Sequence, residues 1–500
     1  RRQRQMCIRD RSSTLQRMEL LKTGYMGTLS LGWDNYLFLE LTGRQERSST
    51  LKDQSFFYPS ANLSFLFTQA FHMPSWWNYG KLRLSYGIVG NAPETYTANI
   101  VYEQGSDNGF TWNTIPSSWG NADIRPEKKY EYEIGLESKF LNNRLGIDIS
   151  YYNNRVKDQI LSTPQPSTSG VKNVLMNVGE VANHGWDISI SATPILTRDF
   201  RWDLTANYGV YKNKVVKLAD GVPYLEILNS GGSGIKIQAV EGQPMGDIYA
   251  QVPQVNENGE YLVSDKGLYL NQTELQKVGN INPAGVGGLF NSFSYKNVFL
   301  DFSIDFRIGG DVINEMNQYA TAVGLTPESL KYRDTEHGGL SYYYPGDNNS
   351  SGIPVQVDPS TGAGPNGEII YHDGIILPGV VASTGERNTR IIPAGYYYNT
   401  TYNWGTEAEQ LTYRHSVFDN SYVKLRELTI GYQFPEKMIS KLGLDRLSVS
   451  VFGRNLFYFY KALKNYDAES SVGTSWANQA TVGSSTTATR SFGVSLRASF

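Results

Sequence analysis

One cysteine, Cys7, is all this chain of 500 residues has, so neither a disulfide framework nor a cysteine-based metal site can form. Its five histidines (His72, His184, His337, His372 and His415) are scattered, with no His-x-x-x-His spacing to put two imidazoles on one metal, and they read as solvated. No apolar run approaches the ~18 residues a membrane-spanning helix needs. That shortage leaves open a membrane crossed by strands, which are short and only half apolar. An excess of either charge is also missing. With 45 basic against 48 acidic residues there is no electrostatic reason to expect nucleic acid. No Gly-x-Ser-x-Gly elbow, P-loop or dinucleotide fingerprint occurs. Asp347-Asn-Asn-Ser350 and Asn256-Glu-Asn-Gly259 lack the Asp-x-Asp-x-Asp-Gly register of a calcium loop and read as ordinary turns. The expectation is a protein that is not an enzyme, with no cofactor and no metal.

What is abundant is tyrosine (34) and glycine (49). Tyrosine suits strands and also membrane interfaces, where one end of the ring is wet. At the end of the sequence Phe492, Val494, Leu496, Ala498 and Phe500 alternate with Ser491, Gly493, Ser495, Arg497 and Ser499. Side chains alternate faces along a strand, so one face is apolar and the other polar. A membrane barrel carries lipid-facing apolar residues in this alternation, and Phe492, Val494, Leu496 and Phe500 read as a C-terminal outer-membrane insertion signal. The edge strand of a soluble sandwich has the same alternation.

The pattern recurs. Leu82, Leu84, Tyr86 and Ile88 oppose Lys81, Arg83, Ser85 and Gly87. Tyr130, Tyr132, Ile134 and Leu136 oppose Glu131, Glu133, Gly135 and Glu137, and Asn142-Asn143 then turns the chain into Leu145, Ile147, Ile149 and Tyr151. Two-residue links of this type are hairpin signals. Similar runs at Tyr25–Trp33, Tyr36–Thr42, Phe56–Phe67, Trp186–Ser191, Arg201–Val210, Leu289–Tyr295, Val298–Ile308, Tyr422–Phe434 and Leu447–Tyr458 bring the expectation to about 13 strands. Their links alternate short and long. Asp34-Asn35, Ala70–Tyr79, Asn142-Asn143, Thr197–Asp199, Lys296-Asn297 and Pro435–Leu444 fall on one side. Arg44–Ser55, Asn91–Lys128, Asn153–Asn183, Asn213–Gly287, Gly309–Asn420 and Phe459–Thr489 fall on the other. Outer-membrane barrels have short periplasmic turns and long extracellular loops, whereas a sandwich has no reason to segregate them. One strand changes phase: Val423 and Leu425 are odd, Leu428, Ile430, Tyr432 and Phe434 even. Either a β-bulge sits near Arg426-Glu427 or the first half lies above the membrane.

Several stretches together resemble the SusC/RagA group of TonB-dependent outer-membrane transporters of Bacteroidetes. They are Lys81–Asn91, Arg125–Glu137, Tyr151–Leu161, Asn177–Gly185, Gly279–Pro283, Tyr422–Pro435 and Gly453–Leu456. The chain departs from that group at Asp467-Ala468-Glu469, where the family often has Asp-Pro-Glu. The resemblance implies an all-β fold, a portion of an antiparallel transmembrane β-barrel with about 13 of 22 strands and long extracellular loops. Residues 14–500 are then the C-terminal portion of the barrel, and residues 1–13 read as non-native, adapter-like sequence. It implies TonB-dependent import of a glycan or peptide across the cell outer membrane of a Gram-negative, Bacteroidetes-like cell. It also implies a SusD-like surface lipoprotein as lid, outer-membrane lipid around the barrel, and TonB acting through an N-terminal region missing from this sequence. A passive porin is the alternative, and a soluble β-rich glycan-binding or adhesin module a third.

The Glu131, Glu133 and Glu137 row reads as a wetted inner face. Ser85 and Asp148 should accept replacement more readily than Leu84 and Ile147 on the lipid side. Aromatics in the long loops are the candidates for touching substrate or lid: Trp112, Trp119, Tyr342, Tyr343, Tyr344, Tyr396, Tyr397, Tyr398, Trp404 and Trp476. Trp33, Trp76, Trp77 and Trp202 fall at strand ends on the short-link side, where an interface girdle explains them. Gly309–Asn420 is far longer than a connection requires and is expected to fold into a cap, with Ile369–Ile376 forming short strands.

Overall fold

The computed structural model describes residues 18–52, 55–107, 110–164, 168, 170–171, 173–230, 234–346, 352–403, 412–440, 443–470, 475–483 and 488–499. Alternation of apolar and polar residues produces a single wall of thirteen strands. These are β1 (Lys22–Trp33), β2 (Leu37–Ser48), β3 (Ser55–Phe65), β4 (Trp77–Asn91), β5 (Glu127–Phe140), β6 (Leu145–Lys157) and β7 (Glu180–Leu196). They continue as β8 (Phe200–Lys217), β9 (Gly285–Tyr295), β10 (Val298–Ile308), β11 (Tyr422–Gln433), β12 (Arg446–Lys461) and β13 (Ser491–Ser499). Each pairs antiparallel with the next in sequence, from β1 at one edge to β13 at the other. The expected strand number and order are both met.

Turn chemistry sets the short side. Asp34 and Asn35 both take positive φ (46° and 57°), as do Asn142 and Asn143 (56° and 62°). That left-handed pair matches the twist of the flanking strands, and Asn and Asp reach it at low cost. The links there are 34–36, 66–76, 141–144, 197–199, 296–297 and 434–445. On the opposite side run 92–126, 158–179, 218–284, 309–421 and 462–490, but also 49–54. The last corrects the expected strict alternation of lengths. β2 and β3 stay paired as far as Arg47 and Ser55, so half of what looked like a long loop is strand. β7 and β8 similarly run 17 and 18 residues, well past the roughly 9–11 that cross a bilayer.

The phase change in β11 is a bulge. Glu427 pairs with Ser303 and Leu425 with Ile304, leaving Arg426 as the extra residue. Val423 and Leu425 on one side of it and Leu428 and Ile430 on the other therefore share the apolar face. On the short side that face carries an aromatic band. Trp76 stacks on Trp77 (6.0 Å) and on Phe140 (5.9 Å), and Trp202 on Phe293 (5.5 Å). Among the described residues no helix is long and apolar enough to cross a membrane, which says nothing about crossing by strands.

The compact cores lie in the loops. One unites Ile235, Ile237 and Ile248 of loop 218–284 with Ile313, Tyr413 and Val417 of loop 309–421 and Ala477 and Ala480 of loop 462–490. The three isoleucines are fully buried, each contributing about 1.5–3 kcal/mol. A separate cluster holds Leu51, Phe56, Ala98 and Ile124, with Ile160 and Leu175 against it. The expected cap is present. Loop 309–421 contains α1 (Glu315–Ala322), α2 (Ala394–Tyr402) and a sheet of Val355–Gln356, Leu340–Tyr343, Tyr371–Ile375 and Ile392–Pro393. Asn314 caps α1 by accepting from the Asn317 N–H (2.9 Å).

Candidate ligand-facing surfaces

Two surfaces present chemistry, the polar face of the wall and the loop layer above it. On the wall, strand register brings side chains distant in sequence into rows. Arg83 on β4 reaches across β5 to β6, donating to both oxygens of Asp148 (2.6 and 3.2 Å) and to Ser150 Oγ (3.1 Å). Gly135 on β5 leaves the space through which the guanidinium passes. Of the glutamate row, Glu137 lies 3.6 Å from Arg83, and Glu131 pairs with Lys129 (2.6 Å) and accepts from Asn154 Nδ2 (3.1 Å). Glu131 and Glu137 of the row are ion-paired on the polar face of the wall. A cavity of about 640 Å³ opens beside Arg83, lined by Asp148, Ser150, Asp187, Ser189, Asn207, Asp305 and Tyr422. Gly209 and Gly288 in its lining lack side chains and deepen it. Such a face can hydrogen-bond hydroxyls, amides or cations, and among the described residues it holds no cluster able to bind a metal.

The loop aromatics divide. Trp112 lies across Gly105 of its hairpin (Glu103–Asp107 with Phe110–Thr114) and stays half exposed. Trp119 is half-buried, with its ring edge-on to Tyr102 (6.2 Å). Trp476 is exposed beside Gly246. Four candidates are corrected by the structure. Tyr342, Tyr343, Tyr344 and Tyr398 are buried, with Tyr342 only 1% exposed. Tyr342 stacks on Tyr371 (5.5 Å) and donates to Asp373 (3.1 Å); Tyr398 donates to the Glu328 carbonyl (2.9 Å). They build the cap's interior because rings that look like a contact patch in sequence are also the largest apolar groups available to an isolated loop. Tyr396 and Tyr397 pack half-buried on the cluster of Leu268, Ile375, Leu377 and Ile392. Trp404 and Phe500 lie outside the described residues, as do Cys7, residues 1–13 and Asp347–Ser350. Phe492, Val494 and Leu496 are exposed on the apolar face, in register with Gly453, Val451 and Val449.

Not every histidine is solvated. His415 is half-buried and stacked on Tyr402 (4.3 Å, 15°). Loss of hydration, then the neighbouring Arg414 charge, pushes its pKa down to about 4. Sequence reasoning also passed over the group around Glu469. That residue accepts from Lys424 Nζ (2.5 Å) and from two guanidinium nitrogens of Arg426 (2.8 and 2.6 Å). Its sequence signals were the phase change at Arg426, which marks where the wall re-aims a side chain, and the departure at Asp467-Ala468-Glu469, neither of which named the partners.

Residues 21–253 match the family model described as TonB dependent receptor-like, beta-barrel. TonB-dependent receptor P3 of Formosa agariphila is 24% identical over 493 residues, covering 90% of this chain and 42% of that protein. TonB-dependent receptor SusC of Bacteroides thetaiotaomicron is 30% identical over 247 residues, covering 45% of this chain and 24% of SusC. The chain thus spans less than half the length of these relatives. A structure of the RagAB peptide importer in the open-open state superposes with a TM-score of 0.67 at 18% identity, covering 96% of this chain and 47% of that one. The first half of the chain thus matches the β-barrel model of TonB-dependent receptors, and the curated relatives that match it are TonB-dependent receptors, SusC among them.

Proposed function

We propose that this chain is the barrel portion of a TonB-dependent importer in the outer membrane, taking up a glycan or peptide beneath a SusD-like lipoprotein lid. The observation that carries the reading is the two-faced wall. Thirteen strands in sequence order keep one face apolar and exposed while the other bears Arg83, Asp148, Asp187 and Asp305 around an open cavity. A soluble sandwich would cover its apolar face with a second sheet. A transporter exposes it to lipid and keeps the polar face for cargo. The match to SusC and to a RagAB peptide importer supports import and leaves glycan and peptide both open. The folded loops supply surface for a lid, with Trp112 and Trp476 as exposed aromatic contacts.

The test is growth. A host strain lacking the full-length gene is grown on a panel of glycans and peptides as sole carbon or nitrogen source, alone and with TonB removed. Loss of growth on one nutrient, reproduced by loss of TonB, is the expected result. Uptake that persists without TonB would replace this reading with that of a passive porin.

A further inference from the structure

The segment following β12 folds back onto the wall through charge rather than strand pairing. Glu469 takes three charge-assisted hydrogen bonds, from Lys424 Nζ and from Arg426 Nη1 and Nη2. Arg426 is held from the other side by Asp305, which accepts from its Nε (2.6 Å). Two further bonds fix the same stretch: Tyr458 Oη donates to Asp467 Oδ1 (2.7 Å), and Asn420 Nδ2 to the Ala468 carbonyl (2.9 Å). Lys424 is 1% exposed, and its ammonium lies over the Tyr458 ring (4.8 Å). A buried ammonium deprived of its anion is strongly destabilising, so Glu469 cannot leave without cost.

The bulge makes the arrangement possible. In an unbroken strand, adjacent residues face opposite sides. With Arg426 extra, Arg426 reaches Asp305 and Glu469 while Glu427 pairs with Arg454 on β12 (3.0 Å) and Lys424 keeps register with Asp305. Beyond the clasp the segment enters the loop cores. Leu463 and Val482 pack with Val312, Ala477 and Ala480 join Ile235 and Ile313, and Thr481 bridges to Ile313.

We infer that Glu469 is a positioning residue: it pins segment 462–470 to the wall through Lys424 and Arg426 and thereby fixes the shared core of three long loops above the polar face. This rests on the reading that those loops guard the ligand entrance. It makes this side of the entrance a rigid body, so that opening falls to other parts of the assembly.

Backbone amide exchange on the full-length protein in detergent tests it. Glu469→Gln keeps the shape and removes the charge. At least a tenfold loss of protection is expected across 462–470 and 475–483, with β1–β4 unchanged. Adding Lys424→Met, which removes the stranded cation, should recover part of it. Unchanged protection in Glu469→Gln overturns the inference, and so does a loss spread equally over β1–β4. If Glu469→Gln does not assemble, Tyr458→Phe and Asp467→Asn replace it. Protection lost only in the segment then supports the clasp, and unchanged protection overturns it. None of these outcomes depends on TonB or on growth, so the two readings fail separately.

Discussion

Replacing Leu84 by Arg separates a membrane wall from a soluble one. Leu84 sits on the apolar face of β4, in register with Leu63 on β3 and Ile134 on β5. Leu84 and Ile134 are 38% and 47% exposed, so among the described residues no second layer covers them. In a bilayer a guanidinium at mid-depth costs about 2–4 kcal/mol. At ~1.4 kcal/mol per tenfold, that lowers the folding equilibrium roughly 30- to 700-fold. Ser85, one residue on, faces the polar side opposite Asn62 and Glu133. An Arg there gains a carboxylate neighbour and should cost under ~1 kcal/mol. Asp148 is a poor control, contrary to the sequence-based expectation, because it is the bidentate partner of Arg83. The assay is urea-dependent folding of the full-length protein into lipid vesicles, followed by heat-modifiable mobility. Equal penalties at Leu84 and Ser85 would refute the two-faced membrane wall. So would a Leu84→Arg protein that needs no detergent.

Other outcomes follow from the loop layer. Tyr342→Ala should cost the cap about 3–5 kcal/mol, as large-to-small core changes do, and open 340–393 to protease while the barrel stays heat-resistant. An uncut cap would show that the ring is not part of its core. Trp112→Ala should leave unfolding unchanged but weaken capture of the proposed lid lipoprotein by the full-length barrel, since the ring is half exposed; undiminished capture removes Trp112 from the proposed interface. Deleting 345–393 takes away Ile375, Leu377 and Ile392, the cover of Leu268, so uptake should fail and loop 218–284 become protease-sensitive, with the barrel still inserted. Failed insertion would mean that this stretch belongs to the wall. His415 has its pKa lowered in the folded state, so the unfolded chain binds the proton more tightly, and the contribution to stability is present above ~6.5 and lost as pH falls toward about 4. Amide protection of α2 should decline over that window and cease to do so in His415→Phe; an unaltered pH profile in the variant would exclude the histidine.

The wall was legible in the sequence because its signal is local. A period of two, read against Asp34-Asn35, Asn142-Asn143 and Lys296-Asn297, assigns strands, faces and order without knowledge of anything distant. Antiparallel neighbours joined by short turns leave little topology to choose, and the phase slip between Leu425 and Leu428 was visible, but that it is a bulge with Arg426 as the extra residue was decided only by the pairing of β10 with β11. Strand ends were less legible. β2, β7 and β8 continue past the alternating stretch because backbone pairing needs no particular side chain. What tertiary structure alone decided is the fate of the loop residues. Tyr342 and Trp112 are both aromatics in long polar loops, yet one is the floor of a folded cap and the other lies open on a hairpin. Burial there depends on residues more than a hundred positions apart, such as Ile235 and Tyr413, which no window of sequence brings together. The clasp is of the same kind. Lys424, Asp305 and Glu469 are ordinary charges in sequence, and only the bulge at Arg426 and the returning segment turn them into one network.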